Sequence, residues 1–196
     1  MQFDGKTIKA NKAELSAFLE FASDDECRPS LNGIAVDQDR RMVFATDGYR
    51  LLCWAPDVNA KRGSAKRPVI PAEFVQTVLR AMKKNDVASL TLKAGRVDAE
   101  CPRGFKVSTL LPRNADAPEA SKVFVAAKRT TKGLGVLTVN PKFLDGLTKV
   151  AVMLEPHMPQ VRIHTSADKL GPIRVVFPLG KCWHALIMPM LEQDAA

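Results

Sequence analysis

The sequence predicts an α+β fold that contains three copies of one unit, in which a short strand, a helix and three further strands follow one another. Two observations support this prediction: three amphipathic helix patterns recur along the chain, and three short runs of strand character follow each of them. Leu15, Phe74 and Phe143 hold matching places in the three helices. Such a unit has to pack its apolar helix stripe and one sheet face against a neighbour, which makes a layered α+β architecture the expected class.

Each predicted helix begins at a residue that suits a helix N-terminus. Asn11 is a good N-cap, Pro71 opens the second helix, and Asn140 followed by Pro141 opens the third. The apolar stripes are Leu15, Phe18, Leu19 and Ala22, then Phe74, Val75, Val78, Leu79 and Met82, then Phe143, Leu144, Leu147, Val150 and Ala151.

The predicted strands are short β-type runs separated by turn residues, and the dipeptide Asp47-Gly48 is a strong hairpin signal. In the first unit they are Thr7–Ala10, Gly33–Asp37, Arg41–Thr46 and Tyr49–Ala55. In the second they are Pro68–Ile70, Ala88–Lys93, Arg96–Cys101 and Phe105–Leu111. In the third they are Val136–Val139, Gln160–Thr165, Pro172–Phe177 and Cys182–Met188.

This pattern divides the chain into a two-unit domain at residues 1–112, a basic linker at 113–135 and a half-domain at 136–196. Within the linker, Lys122–Ala127 is expected to form one irregular strand. The shorter connector Asn59–Arg67 reads as flexible and basic.

The composition is that of a folded protein, with 46% hydrophobic and 26% charged residues. The sequence has no apolar run long enough to span a membrane and no signal-peptide pattern at its start, so we expect a cytoplasmic protein. Cys27, Cys53, Cys101 and Cys182 stand singly without zinc-ligand spacing, which predicts reduced thiols and no metal site. The formal net charge of +8 favours a polyanionic partner, although a solvated cationic surface would explain it equally well.

Catalysis finds little support in the sequence, so we expect neither an enzyme nor a cofactor. His157, His164 and His184 lack the context of a metal or nucleophile motif. The stretch Gly133-Leu134-Gly135 lacks the third glycine of a dinucleotide site and is expected to be a turn. Trp54 and Trp183 lie inside apolar runs, so core packing is favoured over base stacking.

The stretch from Arg28 to Leu51 resembles the middle domain of the bacterial DNA polymerase III beta subunit, the sliding clamp. The resemblance rests on Leu31-Asn32-Gly33 and on Thr46-Asp47-Gly48-Tyr49-Arg50-Leu51, which match an L-N-G segment and a T-D-G-[HY]-R-L segment of that family. The stretch Ala185–Leu191 is similar to the family's C-terminal strand, which ends in a hydrophobic M-P-M segment. The two matches lie in the family's order, whereas the three-fold repeat was found independently from the hydrophobic pattern.

The resemblance implies a ring whose helices face duplex DNA and whose surface pocket receives a short peptide from a DNA polymerase or another DNA-processing protein. Lysines and arginines on the helices would attract phosphates without reading bases. The implied DNA-binding residues are Arg80, Lys83, Lys84, Lys142, Lys149 and Lys12. The implied pocket residues are Leu31, Thr46, Gly48, Tyr49, Arg50, Leu51, Leu186, Ile187, Met188, Pro189 and Met190.

Each of these sites has a simpler interpretation. The basic helix positions can also be read as solvated faces, Asp47-Gly48 as an ordinary hairpin turn and Leu186–Met190 as a core strand. The chain also departs from the family, because Leu191-Glu192-Gln193 follows Met190 where the family places a basic residue. A clamp-derived adaptor that binds peptides without forming a ring is therefore the alternative to a clamp.

Known clamps close a ring of twelve such units, whereas this chain offers three. A ring of the same size would need a homotetramer, closed by head-to-tail contacts of one edge strand on the next subunit. A fourth unit hidden in Arg113–Lys132 would instead make a trimer, and blocked edges would leave a dimer or a monomer.

Overall fold

The computed structural model describes residues 1–57, 66–120, 122–123, 139–165, 171–177 and 182–189. The helices of the three units are α1 (Lys12–Leu19), α2 (Ala72–Ala81) and α3 (Pro141–Leu154). The strands are β1 (Gln2–Phe3), β2 (Thr7–Asn11), β3 (Gly33–Asp37), β4 (Met42–Thr46), β5 (Arg50–Trp54), β6 (Val69–Pro71), β7 (Val87–Lys93), β8 (Arg96–Glu100), β9 (Lys106–Leu110), β10 (Arg162–His164), β11 (Ile173–Val176) and β12 (Trp183–Ile187).

The predicted α+β class is confirmed, and the strands differ from their predicted bounds by only one or two residues at an end. Strand β1 was not predicted, because two residues carry too little pattern. The predicted strand Lys122–Ala127 is wrong at Lys122 and Val123, which are helical, and its other residues lie outside the described parts of the chain. The predicted strand Val136–Val139 also lies outside them except for Val139, which is not in a strand.

The first two units exchange their leading strands. One sheet has the order β1-β2-β7-β8-β9, so that β2 of the first unit pairs with the second unit. The other sheet has the order β10-β11-β12-β5-β4-β3-β6, in which β6 of the second unit pairs with β3 of the first. All neighbouring strands are antiparallel. The last three strands, from the third unit, extend this second sheet beyond β5.

Helix α1 is the middle helix of the layer and contacts both α2 and α3. Its N-terminus is closed by a capping box, in which Asn11 accepts from the backbone of Glu14 at 2.9 Å and Glu14 accepts from the backbone of Asn11 at 2.8 Å. Glu14 is buried and also accepts from the amino group of Met1. Because α1 has neighbours on both sides, Ala17 and Phe18 are fully buried.

The larger apolar core joins the helices to one face of each sheet, called here the helix-side face. Phe18, Phe21, Leu52, Trp54 and Trp183 belong to this core, and the rings of Phe18 and Trp183 lie 4.9 Å apart between centroids. Both tryptophans are therefore core residues, as the sequence favoured. Tight packing across α1, β5 and β12 makes the third unit part of the same body as the first.

A second apolar cluster lies on the opposite, outer face of the seven-stranded sheet. Phe44, Cys53 and Leu186 belong to it, and Ala115, Ala117 and Ala120 cover it. Residues 115–120 are held by buried Arg40, whose guanidinium pairs with Asp37 and with Glu119 at 3.1 Å. The backbone amide of Arg67 donates to the Asp116 carboxylate at 2.6 Å, and its guanidinium donates to the carbonyl of Ala117 at 2.7 Å. The chain thus crosses this face as a fastened strap, which we define as residues 115–120.

Gly33 lies at a close approach of the paired strands β3 and β6. A Cβ atom built there would lie 2.1 Å from the carbonyl oxygen of Ile70 in β6, and the residue has φ +153°. We expect Gly33→Ala to lower the free energy of unfolding by about 2–3 kcal/mol, since backbone and not a flexible side chain must move. Urea unfolding would measure this, and the exposed Gln76→Ala serves as a control with a change within about 0.5 kcal/mol. Equal stability of the two variants would contradict the strand exchange.

His184 on β12 makes stability depend on pH. Burial, aided by the nearby charge of Arg174, lowers the pKa of His184 from 6.5 to about 4. Between pH 6.5 and 4 this side chain binds a proton in the unfolded chain but not in the folded one. The free energy of unfolding is therefore highest above pH 6.5 and falls as the pH is lowered towards 4. Thermal melts across this range should show a smaller loss for His184→Gln than for the wild type. An unchanged pH profile in the variant would rule out this assignment.

Candidate functional site

The pairing of β5 with β12 brings together the two sequence segments that carry the resemblance. Leu51 is the register partner of Leu186, and Arg50 is the partner of Ile187. The ladder continues past the strand ends, because the Met188 amide donates to the carbonyl of Tyr49 at 2.9 Å. Segments that stand far apart in the sequence therefore lie side by side where two interior strands of the sheet end, and this end of the sheet is called here the pocket edge.

The turn between β4 and β5 is held by its own side chains. One carboxylate oxygen of Asp47 accepts from the amides of Tyr49 at 2.9 Å and Arg50 at 2.7 Å. The Thr46 hydroxyl donates to the carbonyl of Arg50 at 2.6 Å and accepts from the amide of Gly48 at 3.1 Å. Gly48 has φ +96°, which favours glycine. These bonds fix Tyr49 at the tip of the turn.

The predicted pocket residues do not all face one way. Leu51 and Leu186 are buried on the outer face of the sheet, whereas Arg50 and Ile187 point to the helix-side face. Thr46 is buried, and Leu31 and Pro189 are half-buried. Tyr49 and Met188 are 63% and 38% exposed, which makes them the accessible side chains of the pocket edge. Met190 lies outside the described residues.

Arg50 has a structural partner for each part of its guanidinium. It donates to the second carboxylate oxygen of Asp47 at 2.8 Å and to the carbonyl of Glu20 at 3.2 Å. It also lies over the rings of Phe21 at 5.0 Å and Phe143 at 5.4 Å. Arg50 therefore ties the turn to α1 and α3 and offers little to an incoming ligand.

Phe143 belongs to this site although the sequence placed it only in the apolar stripe of the third helix. Its ring stacks near that of Tyr49, with centroids 6.4 Å apart and an interplanar angle of 23°. The hydrophobic pattern correctly predicted that Phe143 lies on the apolar face of α3. Nothing in that pattern indicates that the first turn of α3 reaches the β4–β5 turn. The site thus includes an aromatic pair beside the exposed Met188.

The predicted DNA-binding residues divide into two groups. Arg80, Lys83, Lys84 and Lys142 are exposed, and the described part of the chain gives none of their side chains an ion pair. Lys12 instead donates to the carbonyl of Met82 at 2.8 Å. Lys149 pairs with Asp145 at 2.9 Å and Glu20 at 3.4 Å, and the hydrogen bond that it donates to the Asp145 carboxylate is the main cause that raises the pKa of Lys149.

The helix layer as a whole carries balanced charge. Residues 11–20, 71–86 and 140–155 contain six cations and six carboxylates. The cations are Lys12, Arg80, Lys83, Lys84, Lys142 and Lys149, and the carboxylates are Glu14, Glu20, Glu73, Asp86, Asp145 and Glu155. The net charge of +8 therefore comes from other parts of the chain. Within the layer, only the end of α2 is locally basic.

Part of that positive charge lines a groove of about 1360 Å³ at the opposite end of the sheets from the pocket edge. Lys6, Lys66, Lys93 and Arg113 line it, together with Leu92, Leu110, Leu111, Pro68 and Pro112. Sequence reasoning did not find this groove, because its residues come from five separate connections and from strands β7 and β9. Lys93 is neutralised by Asp98 at 2.6 Å.

Two further findings bear on the class of site. In the parts of the chain that the structure describes, no group of three or more His, Cys, Asp and Glu side chains is arranged to hold a metal ion. Over the same residues, no helix is both long and apolar enough to cross a membrane.

Several solved bacterial clamps share this architecture. The DNA polymerase III subunit beta of Borrelia burgdorferi matches with a TM-score of 0.64 and 12% identity, over 98% of this chain and 66% of that one. The sliding clamp of Pseudomonas aeruginosa matches with a TM-score of 0.64 and 15% identity, over 95% and 66%. The clamp of Bacillus subtilis matches with a TM-score of 0.64 and 14% identity, over 97% and 66%.

No family model and no curated protein matches the sequence. The chain spans just under two thirds of the length of the clamps named above, and at such low identity the likeness concerns the fold. The repeat and the two matching segments had predicted the same architecture from the sequence. This protein therefore has the fold of the bacterial DNA sliding clamps.

Proposed function

We propose that this protein is a non-catalytic, clamp-like processivity or recruitment factor. It would hold duplex DNA against its helix layer without sequence preference and tether a DNA polymerase or another DNA-processing protein at the pocket edge. The observation that carries the proposal is the register of β5 against β12, which joins the two clamp-like segments into one surface. Its place of action would be the cytoplasm, where duplex DNA and its polymerases meet.

The pocket edge suits a short hydrophobic peptide. Met188 offers an adaptable apolar side chain, and Tyr49 stacked near Phe143 offers a rigid one. The turn bonds of Asp47 and Thr46 hold both in place before a ligand arrives, which reduces the entropy lost on binding. A surface of this kind can accept related peptide anchors from several partners.

The helix layer supports a weaker form of DNA contact than the sequence implied. Arg80, Lys83 and Lys84 form the one locally basic patch among the described helix residues, while Lys12 and Lys149 are engaged within the protein. Contacts of this kind attract phosphates without reading bases. The balanced charge of the layer favours the alternative function, an adaptor that binds partner peptides without encircling DNA.

The DNA hypothesis predicts unequal roles for the basic residues. Joint replacement of Arg80, Lys83 and Lys84 by Ala should weaken binding to duplexes of any sequence and reduce the log–log salt slope by about one unit per lost phosphate contact. Lys149→Ala should change neither quantity, because its ammonium is already paired. Fluorescence anisotropy over a salt series would measure both effects.

The matched control replaces Lys6, Lys9 and Lys66, which are exposed and lie away from the helices, and thus removes the same charge. If both triple variants lose affinity and slope equally, the effect is one of net charge and the helix layer is not the DNA-binding face.

The pocket hypothesis predicts that a peptide with the clamp-binding motif of bacterial replication proteins binds this protein. Met188→Ala should weaken that binding by about 1–2 kcal/mol, because the side chain is an exposed anchor at the pocket edge. Leu51→Ala should weaken it similarly, but Leu51 is buried, so its fold needs a separate check. Isothermal titration calorimetry would measure the affinities.

Met158→Ala is the matched control, since Met158 is 56% exposed on the connection after α3. If Met188→Ala leaves the peptide affinity as unchanged as Met158→Ala does, the peptide binds elsewhere. The likeness to clamps would then concern the fold alone.

A further inference from the structure

The strands of this fold follow a simple pairing rule. The first of the three strands in a unit pairs with a leading strand from the other unit, as β3 pairs with β6 and β7 with β2. The last strand of one unit pairs with the last strand of another, as β5 pairs with β12. Both contacts are antiparallel. Each type of edge therefore has its own type of partner.

Among the described residues the outer strands are β1 and β9 in one sheet and β10 and β6 in the other. Of these, β9 is the last strand of the second unit, and β10 is the first of the three strands that follow the helix of the third. By the pairing rule, β9 requires a last strand and β10 requires a leading strand. A head-to-tail contact that laid β9 on β10 would join two unlike edges, for which the fold offers no example. The open edges thus disfavour the head-to-tail ring that the sequence suggested.

The open edge of β9 is ready for pairing. The Cys101 amide donates to Phe105 and the Leu111 amide donates to Gly95, both at 2.9 Å, so the odd-numbered residues of β9 bond towards β8. The amides and carbonyls of Lys106, Ser108 and Leu110 consequently point away from the sheet. Leu110 is 77% exposed, which leaves a large apolar side chain beside backbone groups that no described strand pairs.

We propose that β9 pairs with β9 of a second copy of this chain about a two-fold axis, as a repetition between chains of the β5–β12 junction within the chain. The equivalence extends to the backbone, since the residues of β5 that bond to β12 and the open residues of β9 both have side chains on the sheet face away from the core. The contact would convert the five-stranded sheet into one of ten strands.

The charge of β9 selects the register. A two-fold axis at Lys106 would place two ammonium groups opposite each other, which is unfavourable. An axis at Ser108 pairs all five residues of the strand and sets Leu110 against the aliphatic stem of Lys106 in the second copy. Ser108 therefore faces Ser108 of the second copy.

The helices supply a second signature of this interface. Glu20, Arg80 and Lys149 are each the ninth residue after the N-cap of their helix, and Glu20 bonds to Lys149 beside the β5–β12 junction. In the same arrangement, Arg80 would meet Arg80 of the second copy. Both are exposed, so water and salt screen the repulsion and the dimer weakens without being prevented.

Light scattering of the full chain at micromolar concentration should give the mass of a dimer or an even multiple of it. Ser108→Pro removes an outward amide without touching the β8 ladder and should weaken association roughly tenfold or more. In a Cys27→Ser background, Ser108→Cys should form a disulfide-linked dimer under mild oxidation, whereas Ser89→Cys, two strands from the edge, should not. A monomer or a trimer, or equal cross-linking of both cysteines, would overturn the proposal.

The charge at position 80 gives an independent test. Arg80→Gln should tighten the dimer, because it removes the repulsion between the two guanidinium groups. A mixture of wild type with Arg80→Glu should form mixed dimers in preference to either pure form, because opposite charges then meet. Native mass spectrometry would count them, and a purely statistical mixture would contradict the helix contact. Peptide and DNA binding are measured separately from association. A dimer that binds neither ligand would contradict the proposed function but not the interface. A monomer that binds the peptide would contradict the interface but not the proposed function.

Discussion

The rest of the structure depends on the antiparallel pairing of β5 with β12. This ladder places Leu51 opposite Leu186, brings Trp183 against Phe18 and sets α3 beside α1. Without it the third unit would lose its strand contact with the core and keep that of α3 with α1, and the two clamp-like segments would be unrelated surfaces. The burial of both tryptophans on its helix-side face shows that the junction is packed like a protein interior.

The same ladder explains why the site is only partly what the sequence implied. Side chains alternate across a strand, so a run of neighbouring residues cannot all line one pocket. Leu51 and Leu186 therefore face the strap, Arg50 faces the helices, and only the turn and the strand end carry Tyr49 and Met188 to the surface. What a ligand can reach is the end of the sheet, where the period-two pattern stops.

Much of the fold was predictable because it rests on local patterns: the N-caps Asn11 and Asn140, the helix stripes and the Asp47-Gly48 turn all behave as their sequence indicates. Contacts between distant residues were not predictable. The salt bridges of Lys149, the bond of Lys12 to Met82 and the stacking of Phe143 with Tyr49 depend on how the helices meet. The charge of a helix face could be read from the sequence, but its neutralisation by another helix could not.

The exchange of leading strands has a consequence for synthesis on the ribosome. Strand β2 has to wait for β7 before its sheet can form, and β5 keeps an unpaired edge until β12, which follows much later in the sequence, has emerged. Such long-range pairing is slow, and exposed edges promote aggregation while it is pending. Until β12 has emerged, Trp54 therefore lacks its register partner Trp183 and exposes part of its apolar surface.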